Sequence, residues 1–545
     1  MINKKRMYEN MLRLIRVPST SGTADEIKGA YEIEKILKEI PYFAENPDNV
    51  RLVPLKNDPL ERVIVTAYLQ CCPKSGKTVI LTGHYDVVET DEYGQLADIA
   101  YDVEEITKRI NELPLDEDSR KDYESGQWFF GRGTADMKFG HALCIELLNH
   151  FSQEKTLNGN LLYVAVCGEE TNSEGMLGAV PFFNEFAEEK KLDYEALLLT
   201  ECYMMEDQAN DPYRYIHFGS SGKVMPMFFF VGEATHGGEP FLGIDPNLMA
   251  AEVYKRLHMN PQFCRSSHGE VTPPPVCLKN QDLKKNYSVS TPLYTASYYN
   301  IVTVGLDPQE MMEKLKAVAM ESFEASLAFM DEKSSEYEKF FGAKPVRYPI
   351  KPCVKTFREI YDSVLESYEG NYDDYIKGLV SAWQKEGAEL QEIAVRIVAK
   401  TYELYKDKRP TIIVSIIPPF YPDVYPDKSA PKTKKLLDSV CDIIEYAKEK
   451  YGENLKLKDY YMGISDMSYT GLDENMDFET LFENIVGIGR IYDFPADELK
   501  KFSVPGIVLG GYGKDFHKHT ERLHKTYNFD VLPDLYIRII KRILD

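Results

Sequence analysis

Short apolar runs alternate with amphipathic stretches along the first two hundred residues of the chain. The runs at 62–70, 78–83, 160–167 and 196–200 are rich in β-branched and aliphatic residues, a composition typical of buried strands. Between them lie stretches with apolar residues near helical spacing, such as "MKFGHALCIELLNHFSQE" after Asp136. Strands that alternate with helices predict an α/β fold with a mainly parallel sheet flanked by helices.

The pattern changes from about residue 215. The stretches "KVMPMFFFVG" and "LYTASYYNIVTV" predict strands of a separate sheet, with a proline-rich loop between them. Residues 308–405 then predict long, acidic helices that are rich in tyrosine. This part of the chain therefore predicts an inserted α+β domain enlarged by helices.

The α/β pattern resumes after "PPFYPDVYP" at 418–426, which we interpret as a linker. A helix is predicted at 433–450 and a strand at 506–509. The predicted organisation is one α/β domain in two parts, interrupted by the insertion, with the boundaries 1–217, 218–424 and 425–545.

Composition narrows the class of protein. A length of 545 residues predicts two or more domains, and the net charge of −23 argues against nucleic acid and anionic membranes as partners. The stretch "MINKKRMYENMLRLIRV" predicts an amphipathic helix rather than a signal peptide, and no apolar run is long enough for a membrane span. Nine scattered cysteines without a C-x-x-C pair favour a reducing compartment, so we expect a cytoplasmic protein.

Titratable residues follow four of the predicted strands. Each residue alone has an ordinary explanation, such as a loop histidine, a solvated carboxylate or, for Asp136, a helix N-cap. In an open α/β sheet, however, ligands bind beyond the carboxyl ends of parallel strands, where residues remote in sequence meet. The coincidence favours a site formed by His84 and Asp86, Glu169 and Glu170, Glu201, His517 or His519, and Asp136 in "GRGTADMKFG".

The residue types indicate which chemistry this site supports. Histidines and carboxylates without cysteine suit zinc or a similar divalent ion that is left open for catalysis. Five ligands suffice for two ions if Asp136 bridges them. Glu169 and Glu170 are adjacent and cannot make identical contacts, so we expect one to bind metal and the other to handle protons. Asp86 would orient His84 from behind.

The motifs "TGHYDVV", "GRGTADMKFG", "GEETNSEG" and the final "HT-E" resemble those of the co-catalytic zinc peptidases and deacylases. That family includes acetylornithine deacetylase, aminoacylase and succinyl-diaminopimelate desuccinylase. The chain length, the large insertion and the ending "GKDFHKHTERL" further resemble a branch linked to arginine utilisation. The resemblance implies a zinc-exopeptidase-like fold in which the insertion is a lid.

The resemblance also implies individual roles. One ion would be bound by His84 and Glu201, and the other by Glu170 and His519, with His517 as the less favoured candidate. Asp136 would bridge the ions, and Glu169 would be the general acid and base. The two divalent ions would be zinc, with manganese and cobalt as alternatives.

The insertion carries two further expectations. His236 in "VGEATHGGEP" matches the family's lid histidine, which stabilises the oxyanion. In dimeric relatives that histidine reaches the active site of the partner subunit. The resemblance therefore leaves a homodimer as one alternative. Relatives often hold the substrate carboxylate with a lid arginine, but "YYNIVTVGLDP" has none, and Asn300 takes its place only in part. Ser465 and Asp466 in "GISDMSY" resemble a segment near the family's site.

The predicted function is hydrolysis of an amide bond in a dipeptide or an N-acylated amino acid. Metal-activated water would attack the carbonyl, with Glu169 moving the proton and Asp86 and His236 assisting. The small-molecule substrate would belong to amino-acid or arginine catabolism. The alternative is a non-catalytic binding or regulatory protein on the same scaffold.

Overall fold

A computed structural model describes residues 2–154, 157–207, 209–473 and 475–545. The contacts divide the chain into two compact units. Unit 1 comprises the residues up to Ser221 together with Val424–Leu472 and Pro495–Asp545, and unit 2 comprises Gly222–Asp423 and Asp473–Phe494. The chain leaves unit 1 after Ser221 and returns to it at Val424. Residues 473–494 belong to unit 2, although they lie in a range that we predicted for the α/β domain.

Sixteen α-helices are present in the described ranges, and they occupy both units. In chain order they are α1 (Lys4–Ile15), α2 (Glu26–Lys38), α3 (Pro41–Glu45), α4 (Val103–Arg109), α5 (Glu117–Ser125), α6 (Phe139–Gln153), α7 (Glu174–Lys190), α8 (Pro246–Leu257), α9 (Pro308–Phe341), α10 (Phe357–Ser367), α11 (Tyr372–Lys385), α12 (Leu390–Leu404), α13 (Pro431–Tyr451), α14 (Phe478–Asn484), α15 (Ala496–Phe502) and α16 (Leu532–Leu544).

Eighteen strands are present in the same ranges. In chain order they are β1 (Val50–Pro54), β2 (Val63–Leu69), β3 (Lys77–His84), β4 (Trp128–Phe130), β5 (Asn160–Val166), β6 (Asp193–Leu199), β7 (Arg214–Ser220), β8 (Gly222–Val231), β9 (Ser266–Ser267), β10 (Glu270–Val271), β11 (Val276–Asp282), β12 (Tyr294–Thr303), β13 (Val354–Thr356), β14 (Thr411–Tyr421), β15 (Leu455–Tyr461), β16 (Gly506–Val508), β17 (Gly513–Lys514) and β18 (Arg522–His524).

The main sheet of unit 1 has eight strands in the order β1-β2-β5-β3-β6-β16-β7-β15. Its centre is a run of four parallel strands, β5-β3-β6-β16, whereas β1, β2 and the pair β16–β7 are antiparallel. Predicted site residues lie at or just beyond the ends of β3, β5 and β6, and the segment with His517 and His519 follows β16 and β17. The α/β architecture is confirmed, and the parallel centre brings the four carboxyl ends to one edge of the sheet.

Helices cover this sheet and bury its apolar strands. Helices α6 and α16 pack on β3, α7 packs on β2 and β5, and α13 packs on β6. The predicted N-terminal amphipathic helix is α1, whose buried residues Met7, Met11 and Ile15 share the core with α6. Within the described ranges, no helix combines the length and apolar character needed to cross a membrane. All nine cysteines lie in these ranges, and none forms a disulfide.

Unit 2 is built on a five-stranded sheet with the order β11-β12-β8-β14-β13. Helices α8 and α9 pack on this sheet. Helices α10, α11 and α12 form a hydrophobic core with the sheet around Met227, Phe229 and Ile413, separate from the core of unit 1. Much of the predicted helical insertion therefore completes the core of unit 2.

The prediction of a linker at 418–426 is wrong in its first half. Strand β14 continues to Tyr421 with every residue buried, and the chain leaves unit 2 only after Asp423. The prolines at 418 and 419 suggested a break, but they are accommodated in the last part of this strand.

We expect Phe229→Ala to destabilise unit 2 by about 3–5 kcal/mol, because it removes a fully buried aromatic ring between the sheet and its helices. The control is Phe340→Ala on α9, where the ring is 73% exposed and its loss should change stability by less than about 0.5 kcal/mol. Chemical denaturation measures both values. Equal effects would contradict this packing.

Candidate metal centre

The parallel strands of unit 1 deliver the site residues from one edge of the sheet. His84 is the last residue of β3, Glu169 and Glu170 follow the end of β5, and Glu201 follows the end of β6. His517 lies in the loop between β17 and β18, the two short strands that follow β16. Residues that are hundreds of positions apart in sequence are thereby brought to one place.

Asp136 lies between two histidines. Its Oδ1 atom is 3.0 Å from His84 Nε2, and its Oδ2 atom is 3.2 Å from His517 Nε2. Each imidazole nitrogen also faces a second carboxylate: His84 Nε2 lies 3.2 Å from Glu201 Oε2, and His517 Nε2 lies 3.0 Å from Glu170 Oε2. The arrangement is two sets of ligand-type atoms that share one aspartate.

The structure places His517, rather than the His519 that we predicted as a ligand, beside these carboxylates. His519 Nε2 lies 2.8 Å from the carbonyl oxygen of Pro114. The backbone of Asp515 and His517 adopts positive φ angles of 57° and 64°, so the loop does not follow a simple strand or helix periodicity. The family motif alone selects the histidine before threonine, but the loop conformation presents the one two residues earlier.

The spacing of the polar atoms fits two bound divalent ions. Ligand atoms on a tetrahedral zinc ion, with bonds of about 2.0–2.1 Å, lie roughly 3.3 Å apart, close to the separations within each set. One atom each from His84, Asp136 and Glu170 also falls within 4.8 Å of the others. All donors are imidazole nitrogens or carboxylate oxygens, which are ligands that zinc and its divalent neighbours accept.

The carboxylates of the cluster create an environment that stabilises positive charge. Burial raises the pKa of Glu201 to about 7, with His84 opposing and Asp136 adding to the shift. Hydrogen bonds to Asp136 and Glu170 raise the pKa of His517 to about 10. Burial lowers the pKa of His84, but Glu201, Asp136 and Asp86 outweigh burial and raise it well above its ordinary value. Carboxylates therefore surround both imidazoles with negative charge, an environment that favours a bound cation.

Asp86 contacts more than the histidine that we expected it to orient. His84 Nδ1 lies 3.0 Å from the backbone oxygen of Asp86 and 3.5 Å from its Oδ1 atom. The carboxylate also accepts hydrogen bonds from the backbone N–H groups of Glu169 and Glu170, both at 3.2 Å, and from the hydroxyl of Ser21 at 2.6 Å. Asp86 thus connects β3 to the turn that carries both glutamates.

Glu169 stands apart from the two ligand sets. Its Oε2 atom is 3.9 Å from His84 Nε2, farther than the carboxylates of Asp136 and Glu201. Burial raises the pKa of Glu169 well above its ordinary value; His84 opposes the shift and Asp466 adds to it. A carboxyl group with a raised pKa beside the ligands is suited to accept and return a proton.

Two glycines allow the close approaches that the site needs. Gly133 has a φ of 74° and begins the turn Thr134–Lys138, in which Asp136 has a non-helical backbone. A Cβ atom on Gly510 would lie 1.6 Å from the carbonyl oxygen of Glu201.

The helix after Asp136 begins with Lys138 as its N-cap residue, so Asp136 is not the N-cap that its position in the sequence also suggested.

Glu26 has a role in the site that sequence reasoning missed. This fully buried carboxylate accepts hydrogen bonds from the backbone N–H groups of Gly22, at 2.7 Å, and Gly168, at 2.9 Å. It pairs at 3.1 Å with Arg62, which is itself 3% exposed. Glu26 therefore fixes the residue before Glu169. Its partners Arg62 and Gly168 lie 36 and 142 positions away, so no local pattern could identify it.

Asp466 lies in a short turn of unit 1 and is 2% exposed. Burial raises its pKa to about 7, with His84 opposing and Asp86 adding to the shift. The neighbouring Ser465 hydroxyl accepts a hydrogen bond from the backbone N–H of Met467 at the start of this turn. The charges of His84 and Asp86 thus act on this buried carboxyl group, and its role stays a prediction.

His236 and Asn300 belong to unit 2, whereas the cluster forms within unit 1. His236 is exposed, and its Nδ1 atom accepts a hydrogen bond of 3.0 Å from the backbone N–H of Gly238. Asn300 is half-buried on β12, opposite Val276. Their roles stay predictions.

Comparison with sequence profiles of protein families matches residues 80–491 to "Peptidase family M20/M25/M40". This segment contains His84, Asp136, Glu169, Glu170 and Glu201, whereas His517 follows it.

Individual relatives match nearly the whole chain. The chain is 35% identical to the uncharacterised protein YqjN of Bacillus subtilis (strain 168), covering 99% of this chain and 97% of that protein. It is 31% identical to protein RocB of the same organism, covering 95% and 92%. The structure of the di-peptidase Dug1p from Saccharomyces cerevisiae is similar in fold, with a TM-score of 0.56 and 12% identity over 99% of this chain and 96% of that one.

We expect His517→Ala to reduce bound zinc from two ions to about one per chain, because it removes the nitrogen between Asp136 and Glu170. The matched control is His519→Ala, which removes an imidazole from the same loop and should retain both ions. Elemental mass spectrometry after gel filtration measures the stoichiometry. The reverse result would restore His519 as the ligand.

Proposed function

The chain belongs to peptidase family M20/M25/M40 and is a hydrolase, and on this basis we propose that it hydrolyses an amide bond with the help of two divalent ions held in unit 1. The proposed ligands are His84 and Glu201 for one ion, and Glu170 and His517 for the other, with Asp136 shared. The ions are proposed to be zinc, with manganese and cobalt as alternatives.

The position of Asp136 carries this proposal. Its two carboxylate oxygens face different imidazoles, and each imidazole faces one further carboxylate. A carboxylate shared in this way is the feature that distinguishes a two-metal site from two unrelated ion pairs, since both ions in such sites act on one substrate.

The residues around the site support hydrolysis by activated water. When bound, the ions would polarise the substrate carbonyl and lower the pKa of a water molecule. Glu169 would take a proton from that water on its carboxylate and return it to the nitrogen of the leaving amine. Asp86 would keep Glu169 in place through the backbone N–H bond. His236 is proposed to stabilise the oxyanion, as its match to the lid histidine implies.

The proposed substrates are dipeptides and N-acylated amino acids. Peptidase membership supports the first class, and the sequence resemblance to deacylases supports the second. We place the reaction in amino-acid catabolism; arginine utilisation is the narrower hypothesis and rests on the sequence resemblance alone. Parallel assays with a panel of free dipeptides and the corresponding N-acetyl amino acids would separate the two classes.

Metal stoichiometry tests the foundation of the proposal. We expect about two ions per chain in wild-type protein after gel filtration with zinc, and fewer in His84→Ala. Elemental mass spectrometry provides the count. Folded wild-type protein that holds no tightly bound metal would contradict the two-metal assignment.

Glu169→Gln should retain both ions but lose turnover by about 10²–10⁴-fold, because glutamine keeps the shape of the side chain and cannot shuttle the proton. Glu185→Gln on α7 is the control, since it removes an exposed carboxylate of the same unit and should leave turnover unchanged. Steady-state hydrolysis of a cleaved substrate and the metal content are measured together. Near-normal turnover in Glu169→Gln would contradict the assignment of Glu169 as the general base.

A further inference from the structure

A second buried glutamate lies directly behind Asp136. Glu521 is fully buried, and its Oε1 atom accepts hydrogen bonds from the backbone N–H groups of Ala135, at 3.1 Å, and Asp136, at 3.3 Å. Its Oε2 atom accepts a hydrogen bond of 2.6 Å from Arg132 Nη1. One carboxylate thus holds both the backbone that carries Asp136 and the arginine four residues before it.

Arg132 is itself fixed in position. The residue is 1% exposed, and its Nε atom donates a hydrogen bond of 3.1 Å to the carbonyl oxygen of Glu89. The guanidinium group lies over the ring of Tyr93 at 5.5 Å. Burial raises the pKa of Glu521 to about 7, whereas the Arg132 charge and the two backbone N–H groups oppose this shift and favour the ionised carboxylate.

Glu521 also belongs to the loop that carries His517. The backbone N–H of Gly131 donates to the carbonyl oxygen of Glu521, which ties the two loops together a second time. The next residue, Arg522, pairs with Asp118, Asp122 and Asp515 in a buried network. The Asp136 loop and the His517 loop therefore meet at Glu521 as well as at the proposed metal ligands.

We propose that Glu521 is a positioning residue that sets the orientation of Asp136 relative to His517, and thereby the affinity of the shared site for metal. This inference rests on the proposed function. Glu521 makes no contact with the imidazoles; it acts by holding the Asp136 backbone so that one carboxylate oxygen faces each histidine. The glutamate of the "HT-E" motif thus gains a physical role that the motif itself did not supply.

A purely structural role has to be separated from positioning, and the chain offers a matched control. Glu146 on α6 is also buried in unit 1, pairs with Arg6 at 2.7 Å and accepts the backbone N–H of Asn3 at 2.8 Å. It holds no backbone of a proposed ligand. Glu146→Gln therefore removes the same kind of interaction without touching the Asp136 loop.

The experiment titrates metal-free wild-type, Glu521→Gln and Glu146→Gln proteins with zinc by isothermal titration calorimetry. We expect Glu521→Gln to weaken zinc binding by about 10–100-fold, the usual effect of removing a partner that orients a ligand, and Glu146→Gln to bind like wild type. Thermal unfolding of the metal-free proteins shows how much stability each variant loses. Unchanged affinity in Glu521→Gln, or an equal loss of affinity in Glu146→Gln, would overturn the inference.

Glu521→Asp provides a second test that keeps the negative charge. The carboxylate is drawn back by one methylene group and cannot hold Arg132 and both backbone N–H groups at once. We expect a zinc affinity between those of wild type and Glu521→Gln, and an altered visible absorption spectrum after loading with Co²⁺. A spectrum and an affinity identical to those of wild type would contradict the positioning role. Wild-type protein that binds no zinc would instead refute the proposed function.

Discussion

Negative charge concentrated beyond the ends of β3, β5 and β6, together with Asp136 from the turn Thr134–Lys138, is the constraint on which unit 1 depends. Asp136, Glu170 and Glu201 lie within about hydrogen-bonding distance of the two histidines, and Glu169 lies just beyond. Carboxylates at such separations repel one another and resist burial. The chain can keep them together only if their backbones are held firmly and if positive charge, from protons or bound cations, is present between them.

Two buried pairs of glutamate and arginine meet the first requirement. Glu26 with Arg62 holds the turn before Glu169, and Glu521 with Arg132 holds the backbone of Asp136. Neither glutamate faces the histidines. In both cases a carboxylate accepts backbone N–H groups of a loop that would otherwise have to bury them without partners. The loops that carry the site are thus held by carboxylates other than the proposed metal ligands.

The fold class is predictable from the sequence because its signals are local. Apolar runs and helical spacing identify the central strands, and the parallel order follows from their alternation with helices. The same reasoning places His84, Glu170 and Glu201 at one edge of the sheet. It failed where the answer depends on distant contacts or loop conformation. The loop backbone places His517, rather than His519, beside the carboxylates, and the two prolines before Tyr421 are tolerated because β14 is held by its neighbours.

The two histidines of the site differ in their access to solvent. The side chain of His84 is 1% exposed, whereas that of His517 is 53% exposed and stands on a loop. The ion proposed beside His517 would therefore exchange with the surrounding solution faster than the ion proposed beside His84. A chelator would empty the two halves in sequence, so the protein could pass through a state that retains only the ion beside β3. Metal supply, as well as sequence, would then decide how much of the protein is in its fully loaded form.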